Sequence, residues 1–271
     1  MLVVNKTISL FKKFAWFKRL NAKITYEVLA KYIPAQDWHF MNYGYVPEVG
    51  EIEKHIRPFK VKDQQNSANM YHYLACKVPL AGKRILEIGS GRGGGAAYIA
   101  SNFNPASYTG LDLAKHAVAL AGKIHQHANL AFVQGSGESL AITDNSVDVV
   151  INVESCHGYG DVKAFLAEVV RVLKPGGHLL LVDFRNSVEN MELFNKTLTE
   201  SGLVCQSEEN ISANVVAAIE ADDKSKRAKI ESLVPHRYQK LFFDFAGMVG
   251  SRFHQTLKDG TRPYYRFVFR K

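Results

Sequence analysis

The sequence predicts an α/β chain built on an open, mostly parallel sheet. Three observations carry that prediction: strand-like and helix-like runs alternate from Lys83 onward, a glycine-rich turn follows the first strand of the series, and two strand-like runs close the chain. Residues 84–88 form a short apolar strand, 93–102 read as a helix and 107–111 as the next strand. A helix at 115–126, strands at 130–134 and 146–152 and a helix at 161–173 come next. The Lys-Pro-Gly-Gly run at 174–177 then leads into a strand at 178–183. Residues 251–257 and 262–269 are expected to form an antiparallel hairpin around the Lys-Asp-Gly-Thr turn at 258–261. Before it the pattern is largely helical, clearest at 214–233, which gives a helical cap insertion at about 186–245.

The chain accordingly divides into an N-terminal region, 1–82, and an α/β domain, 83–271. Residues 9–33 place Leu10, Phe14, Phe17, Leu20, Ile24, Val28 and Tyr32 at helical spacing among lysines, with Pro34 as a stop. Such a basic amphipathic helix is compatible with packing over an active site, with a homodimer, or with peripheral contact with a membrane. A loop containing Tyr43 and Tyr45 follows. Asp63 can then cap a second helix carrying Met70, Tyr71, Leu74 and Val78.

With 46% apolar and 22% charged residues, the composition is that of a soluble globular protein. The three cysteines are scattered, with neither a disulfide framework nor zinc spacing, which points to a reducing cytoplasm. No secretory signal and no membrane-spanning run is present. The net charge of +8 favours anionic surroundings, but no nucleic-acid motif accompanies it, which argues against a nucleic-acid partner.

Gly89, Gly91 and Gly93 follow the first strand and open a helix, an arrangement that lets a ligand approach the backbone. Asp112 ends the next strand, 25 residues after Glu87, where a carboxylate can accept both hydroxyls of a ribose. Dinucleotide sites set a pyrophosphate at this helix N-terminus. Here Glu87 precedes the turn, and its charge would repel a phosphate but attract the ammonium of an amino-acid group. The ligand suggested is a nucleoside with a cationic amino-acid tail, as S-adenosylmethionine is. The histidines show no metal spacing, since His125 and His127 do not share a helix face, and no metal is expected.

The turn at 87–95, Asp112, the Gln-Gly-Ser-Gly-Glu run at 134–138, the strand 147–151 and the Arg-Val-Leu-Lys-Pro-Gly-Gly run at 171–177 resemble the successive motifs of class I S-adenosylmethionine-dependent small-molecule methyltransferases. More narrowly, 42–157 resembles the bacterial phthiotriolone-type and natural-product O-methyltransferases, through 93–98, 104–113 and 152–154. The resemblance implies a Rossmann-like, seven-stranded sheet with an antiparallel last strand. It implies S-adenosylmethionine as cofactor, S-adenosylhomocysteine as product, and a hydrophobic polyketide- or lipid-like acceptor. By position, Glu87, Gly89, Ser90, Gly91 and Gly93 would surround the methionine end, Asp112 the ribose and Leu113 the adenine. Ser136, Gly137 and Glu138 follow the third strand, and Ser136 stands where the family often has an aspartate for the adenine amino group. Asn152 and Val153 would line the methionine side, with Tyr43 in a loop covering the cofactor.

The chemistry needs an aligned acceptor, exclusion of water and, for a hydroxyl, removal of a proton. His157 follows the fourth strand and Asp183 ends the fifth, so an open parallel sheet brings them to one crevice. The expected pair is a histidine base with an orienting carboxylate. Cys156 adjoins His157 and is read as packing; Glu154 is acidic near the cofactor. C- or N-methylation, and a cofactor-binding protein that performs a rearrangement, a cyclisation or binding alone, remain as alternatives.

Overall fold

The computed structural model describes residues 38–48, 58–59 and 62–271; the helix expected at 9–33 lies outside them. The described residues form one seven-stranded sheet in the order β3-β2-β1-β4-β5-β7-β6. Its strands are β1 (Arg84–Ile88), β2 (Ser107–Asp112), β3 (Leu130–Gln134), β4 (Val147–Val153), β5 (Leu173–Phe184), β6 (Val204–Asn210) and β7 (Tyr264–Arg270). The first five run parallel, while β7 pairs antiparallel with both β5 and β6. The helices are α1 (Gln65–Ala75), α2 (Gly94–Asn102), α3 (Lys115–Ile124), α4 (Val162–Val172), α5 (Val188–Thr199), α6 (Ser212–Leu233), α7 (His236–Phe245) and α8 (Arg252–Lys258).

Strand alternation sorts the core into two layers. Ile85, Val149, Ile151, Leu180 and Val182 face one side and pack with Met70 and Leu74 of α1 and Tyr98 and Ile99 of α2. Leu86, Ile88, Val150, Leu179 and Leu181 face the other, against Phe165 and Val169 of α4 and Phe194 and Leu198 of α5. Each fully buried aliphatic side chain contributes about 1.5–3 kcal/mol. Period two also fixes Glu87: it shares a face with Ile85 and points into the first layer rather than out of the sheet's end.

The terminal hairpin is corrected by the structure. Residues 251–257 belong to helix α8, not to a strand. Phe253 and Leu257 lie on one helical face, both buried, and the Ser251 hydroxyl accepts from the His254 amide at 3.2 Å as an N-cap. Those apolar residues sit at odd positions and so mimic strand alternation, but a spacing of four fits them equally. The outer antiparallel partner of β7 is β6, inside the stretch read as helical insertion. This edge strand is mostly exposed and polar, so no apolar rhythm announces it. The helix expected at 214–233 is present as α6.

Candidate functional site

The carboxyl ends of β1, β2, β4 and β5 open on one side of the sheet. Gly89 there adopts φ +83°, a left-handed conformation, and a Cβ at this position would overlap the Ser155 side chain. The Gly91 amide donates to Asp112 Oδ2 at 2.8 Å, and Asp112 Oδ1 accepts from the Ala114 amide at 2.9 Å. The acid at the end of β2 therefore braces both the glycine turn and the start of α3.

A cleft over this turn is lined by Gly89, Ser90, Gly91, Asp112 and Val153 of the expected set, joined by Asn42 and Glu154. Ser90 Oγ and Asn42 Oδ1 are buried and have no hydrogen-bond partner among the described residues. Buried polar atoms are almost always bonded, so a cleft with two such atoms is built for a polar ligand. A donor–acceptor ligand such as S-adenosylmethionine fits that chemistry.

Other expected residues stand elsewhere. Glu87 does not line the cleft: it is fully buried and accepts from the Tyr71 hydroxyl at 2.7 Å and the Tyr108 hydroxyl at 2.9 Å. Gly93, Leu113, Ser136, Gly137, Glu138 and Asn152 also lie outside the cleft lining. Gly93 starts α2 at φ +80°. The Glu138 carboxylate accepts from the Asp161 amide, and Ser136 Oγ from the Glu138 amide. Asn152 is buried and donates to the Ile88 carbonyl at 2.8 Å, tying β4 to β1.

The segment 38–48 lies across the cleft. The His39 amide donates to Gln64 Oε1, Asn42 Nδ2 to the Ser67 carbonyl, and the Tyr45 amide to the Asn66 carbonyl, which fasten it to the start of α1. The Tyr43 amide donates to Glu154 Oε1 at 2.9 Å. Tyr43 itself stacks on Phe253 and belongs to a second, more apolar cavity. Trp38, Ile230, Phe242 and Phe245 also line that cavity, and so do His157, Lys226 and Lys229. The two cavities share Phe40, Met41, Asn42 and Glu154.

His157 and Asp183 meet as the sequence suggested. His157 Nδ1 lies 2.7 Å from Asp183 Oδ1, and the His157 amide donates to Asp183 Oδ2 at 2.8 Å. The imidazole packs on Phe184 with ring centroids 4.4 Å apart. Burial acts to raise the Asp183 carboxyl, but His157 and the Arg185 guanidinium at 3.3 Å hold it well below the usual carboxylate range. An ionised Asp183 accepting from Nδ1–H leaves the basic lone pair on Nε2. Cys156 does more than pack. Its thiol donates to Asp183 Oδ2 at 2.9 Å, and burial pushes it well above an ordinary thiol, so it is no nucleophile. Sequence reasoning also missed Arg185 and Tyr264. The Tyr264 hydroxyl donates to Glu154 Oε1 at 2.5 Å, and nothing in the sequence links those positions 110 apart. Among the described residues no cluster of three or more His, Cys, Asp or Glu could hold a metal, and no helix is long and apolar enough to cross a membrane.

Two buried acids make stability pH-dependent. Burial raises Glu87 and Glu154 from 4.5 to about 7 against the lowering pull of their tyrosine donors. A raised folded pKa means that the native state holds more protons than the unfolded chain between about 4.5 and 7. Stability therefore falls as pH rises through that window. Each group accounts for about 3 kcal/mol at most, from ~1.4 kcal/mol per pKa unit. The expected result is that Glu87→Gln lessens by about half the fall in Tm between pH 5 and pH 8 that these two acids cause. Thermal denaturation at several pH values reads this directly, and an unchanged slope would refute it.

Residues 86–181 match the family pattern described as a methyltransferase domain. The chain is 36% identical to phthiotriol/phenolphthiotriol dimycocerosates methyltransferase of Mycobacterium leprae, covering 91% of this chain and 90% of that one. The chain belongs to this methyltransferase family. The methyltransferase is also 33% identical to fatty-acid O-methyltransferase of Mycolicibacterium smegmatis, over 100% of its own length and 99% of the relative's. Its fold is shared with the crystal structure of the 4+2 cyclase SpnF, at TM-score 0.73 and 18% identity, over 92% and 95% of the two chains. S-adenosylmethionine is thus the cofactor of this enzyme.

Proposed function

We propose that the methyltransferase transfers a methyl group to a hydroxyl oxygen of a hydrophobic, lipid- or polyketide-like acceptor. The carrying observation is His157, its Nδ1 fixed by buried Asp183 and its ring at the wall of a cavity lined by Trp38, Phe40, Ile230, Phe242 and Phe245. Bound S-adenosylmethionine supplies a methyl on a sulfonium, and S-adenosylhomocysteine leaves. Asp112 would accept from the ribose hydroxyls, while Gly89, Ser90, Gly91 and Val153, which line the same cleft, would hold the methionine side. The 38–48 segment excludes water, and His157 Nε2 takes the hydroxyl proton as its oxygen attacks. The names of the M. leprae and M. smegmatis relatives support an acceptor of lipid character.

A second reading is carried by Lys226 and Lys229, which line the same cavity, the Lys226 ammonium lying 3.4 Å from Asp222. A carboxylate oxygen on a long alkyl chain would suit them, and an ionised carboxylate needs no base. Incubation with methyl-labelled cofactor and separate pools of long-chain secondary alcohols and fatty acids separates the two. Labelled ether is the expected product. Labelled ester alone would replace the first reading with the second, and cofactor binding without transfer to either pool would sink both.

A further inference from the structure

The methyl group must cross from the cofactor cleft to the acceptor cavity, so the reacting sulfur belongs where the two meet. The four residues that line both are Phe40, Met41, Asn42 and Glu154, and Glu154 is the one with a charge. Its backbone is left-handed at φ +49°, a conformation that costs energy for any residue but glycine, and Glu154 lines both cavities just past the end of β4. Oε1 is occupied by the Tyr43 amide and the Tyr264 hydroxyl. Glu87, which the sequence placed against the ligand's cationic end, is sealed behind Tyr71 and Tyr108.

We propose that Glu154 is the carboxylate that faces the sulfonium of the cofactor, a charge distinct from the amino-acid ammonium for which the sequence offered Glu87. Of the other acids, Asp63 lines the acceptor side alone and the rest are already engaged. Asp183 is held by His157, Cys156 and Arg185, and Asp112 braces the glycine turn and lies on the cofactor side alone. A cation set beside Glu154 draws the buried carboxyl back to its ionised form, because an opposite charge at close range offsets the burial that raises it. Transfer removes that charge from sulfur, so Glu154 would hold the substrate cofactor and release the product cofactor.

Calorimetric titration with S-adenosylmethionine and with S-adenosylhomocysteine tests this. Glu154→Gln keeps an oxygen for Tyr43 and Tyr264 and removes only the charge. The expected result is S-adenosylmethionine binding weakened about tenfold or more, with S-adenosylhomocysteine changed less than about twofold. Sinefungin, which carries an amine in place of the sulfonium, should weaken like S-adenosylmethionine. Retained S-adenosylhomocysteine binding reports that the variant is folded. Equal weakening of both ligands would mean that Glu154 only clamps the cover segment, and no change in either would remove it from the site; each result overturns the proposal. Neither touches the family assignment.

Discussion

Replacing His157 by alanine is expected to lower kcat on a hydroxyl acceptor by about 10²- to 10⁴-fold, the range of a general base, with S-adenosylmethionine affinity unchanged. The separation of effects follows from placement: His157 lines the acceptor cavity and is absent from the cofactor cleft. Asp183→Asn tests the other half. An amide that donates to Nδ1 would force the proton onto Nε2, the nitrogen that has to accept, and activity should fall nearly as far. The Asp183 carboxylate also accepts from the Cys156 thiol, the His157 amide and the Phe184 amide, so this variant should lose stability as well. The two variants thus separate by Tm and not by rate. Full activity of His157→Ala on the native acceptor would eliminate the base and leave the carboxylate-methylating reading.

Gly89→Ala should abolish measurable cofactor binding. Its φ of +83° is a left-handed conformation that costs a non-glycine residue about 1–3 kcal/mol. The added methyl would also collide with Ser155, on the turn that carries Glu154 and His157. Backing away from the collision moves the glycine turn off Asp112 or moves Ser155 off Tyr159, whose hydroxyl it meets at 2.8 Å. Titration with S-adenosylmethionine, alongside a thermal melt to confirm folding, checks the outcome. Wild-type affinity in a folded Gly89→Ala variant would show that the ligand does not depend on this backbone.

Much of the sheet was legible because parallel strands buried on both faces announce themselves as near-continuous apolar runs, as in Val147–Val153, where only Asp148 and Asn152 are polar. Strand β6 was not, because an exposed edge strand with the sequence of 204–210 carries no apolar period. Helix α8 was misread because Phe253 and Leu257 satisfy both periods, and the decision between them lies in the Ser251 cap and in burial against Tyr43. Within the site, the pairing of His157 with Asp183 was legible from topology, since strand ends in a parallel sheet gather at one edge. Glu87 illustrates the limit. Its place in the motif was plain, but the side to which it points depends on strand parity and on Tyr71 and Tyr108, which come from other elements. Glu154 was noticed as an acid near the cofactor, but its left-handed backbone and its place between the two cavities are not visible in sequence.

The wall that Phe242 and Phe245 give the acceptor cavity comes from α7, which buries none of its residues fully. It sits between β6 and β7, whose ends are pinned together where the Ile211 amide donates to the Tyr264 carbonyl at 2.9 Å. The excursion from 211 to 263 packs Val215, Ile219, Phe253 and Leu257 into the core beside the sheet, while Phe242 and Phe243 of α7 belong to a separate cluster with Ile230, Val234 and Met248. Substitutions in α7 can reshape the acceptor chamber at little cost to the sheet, while the cofactor half keeps its geometry. A lineage exploring new acceptors would change fastest there, with the glycine turn and the His157–Asp183 pair inherited intact beneath a roof free to vary.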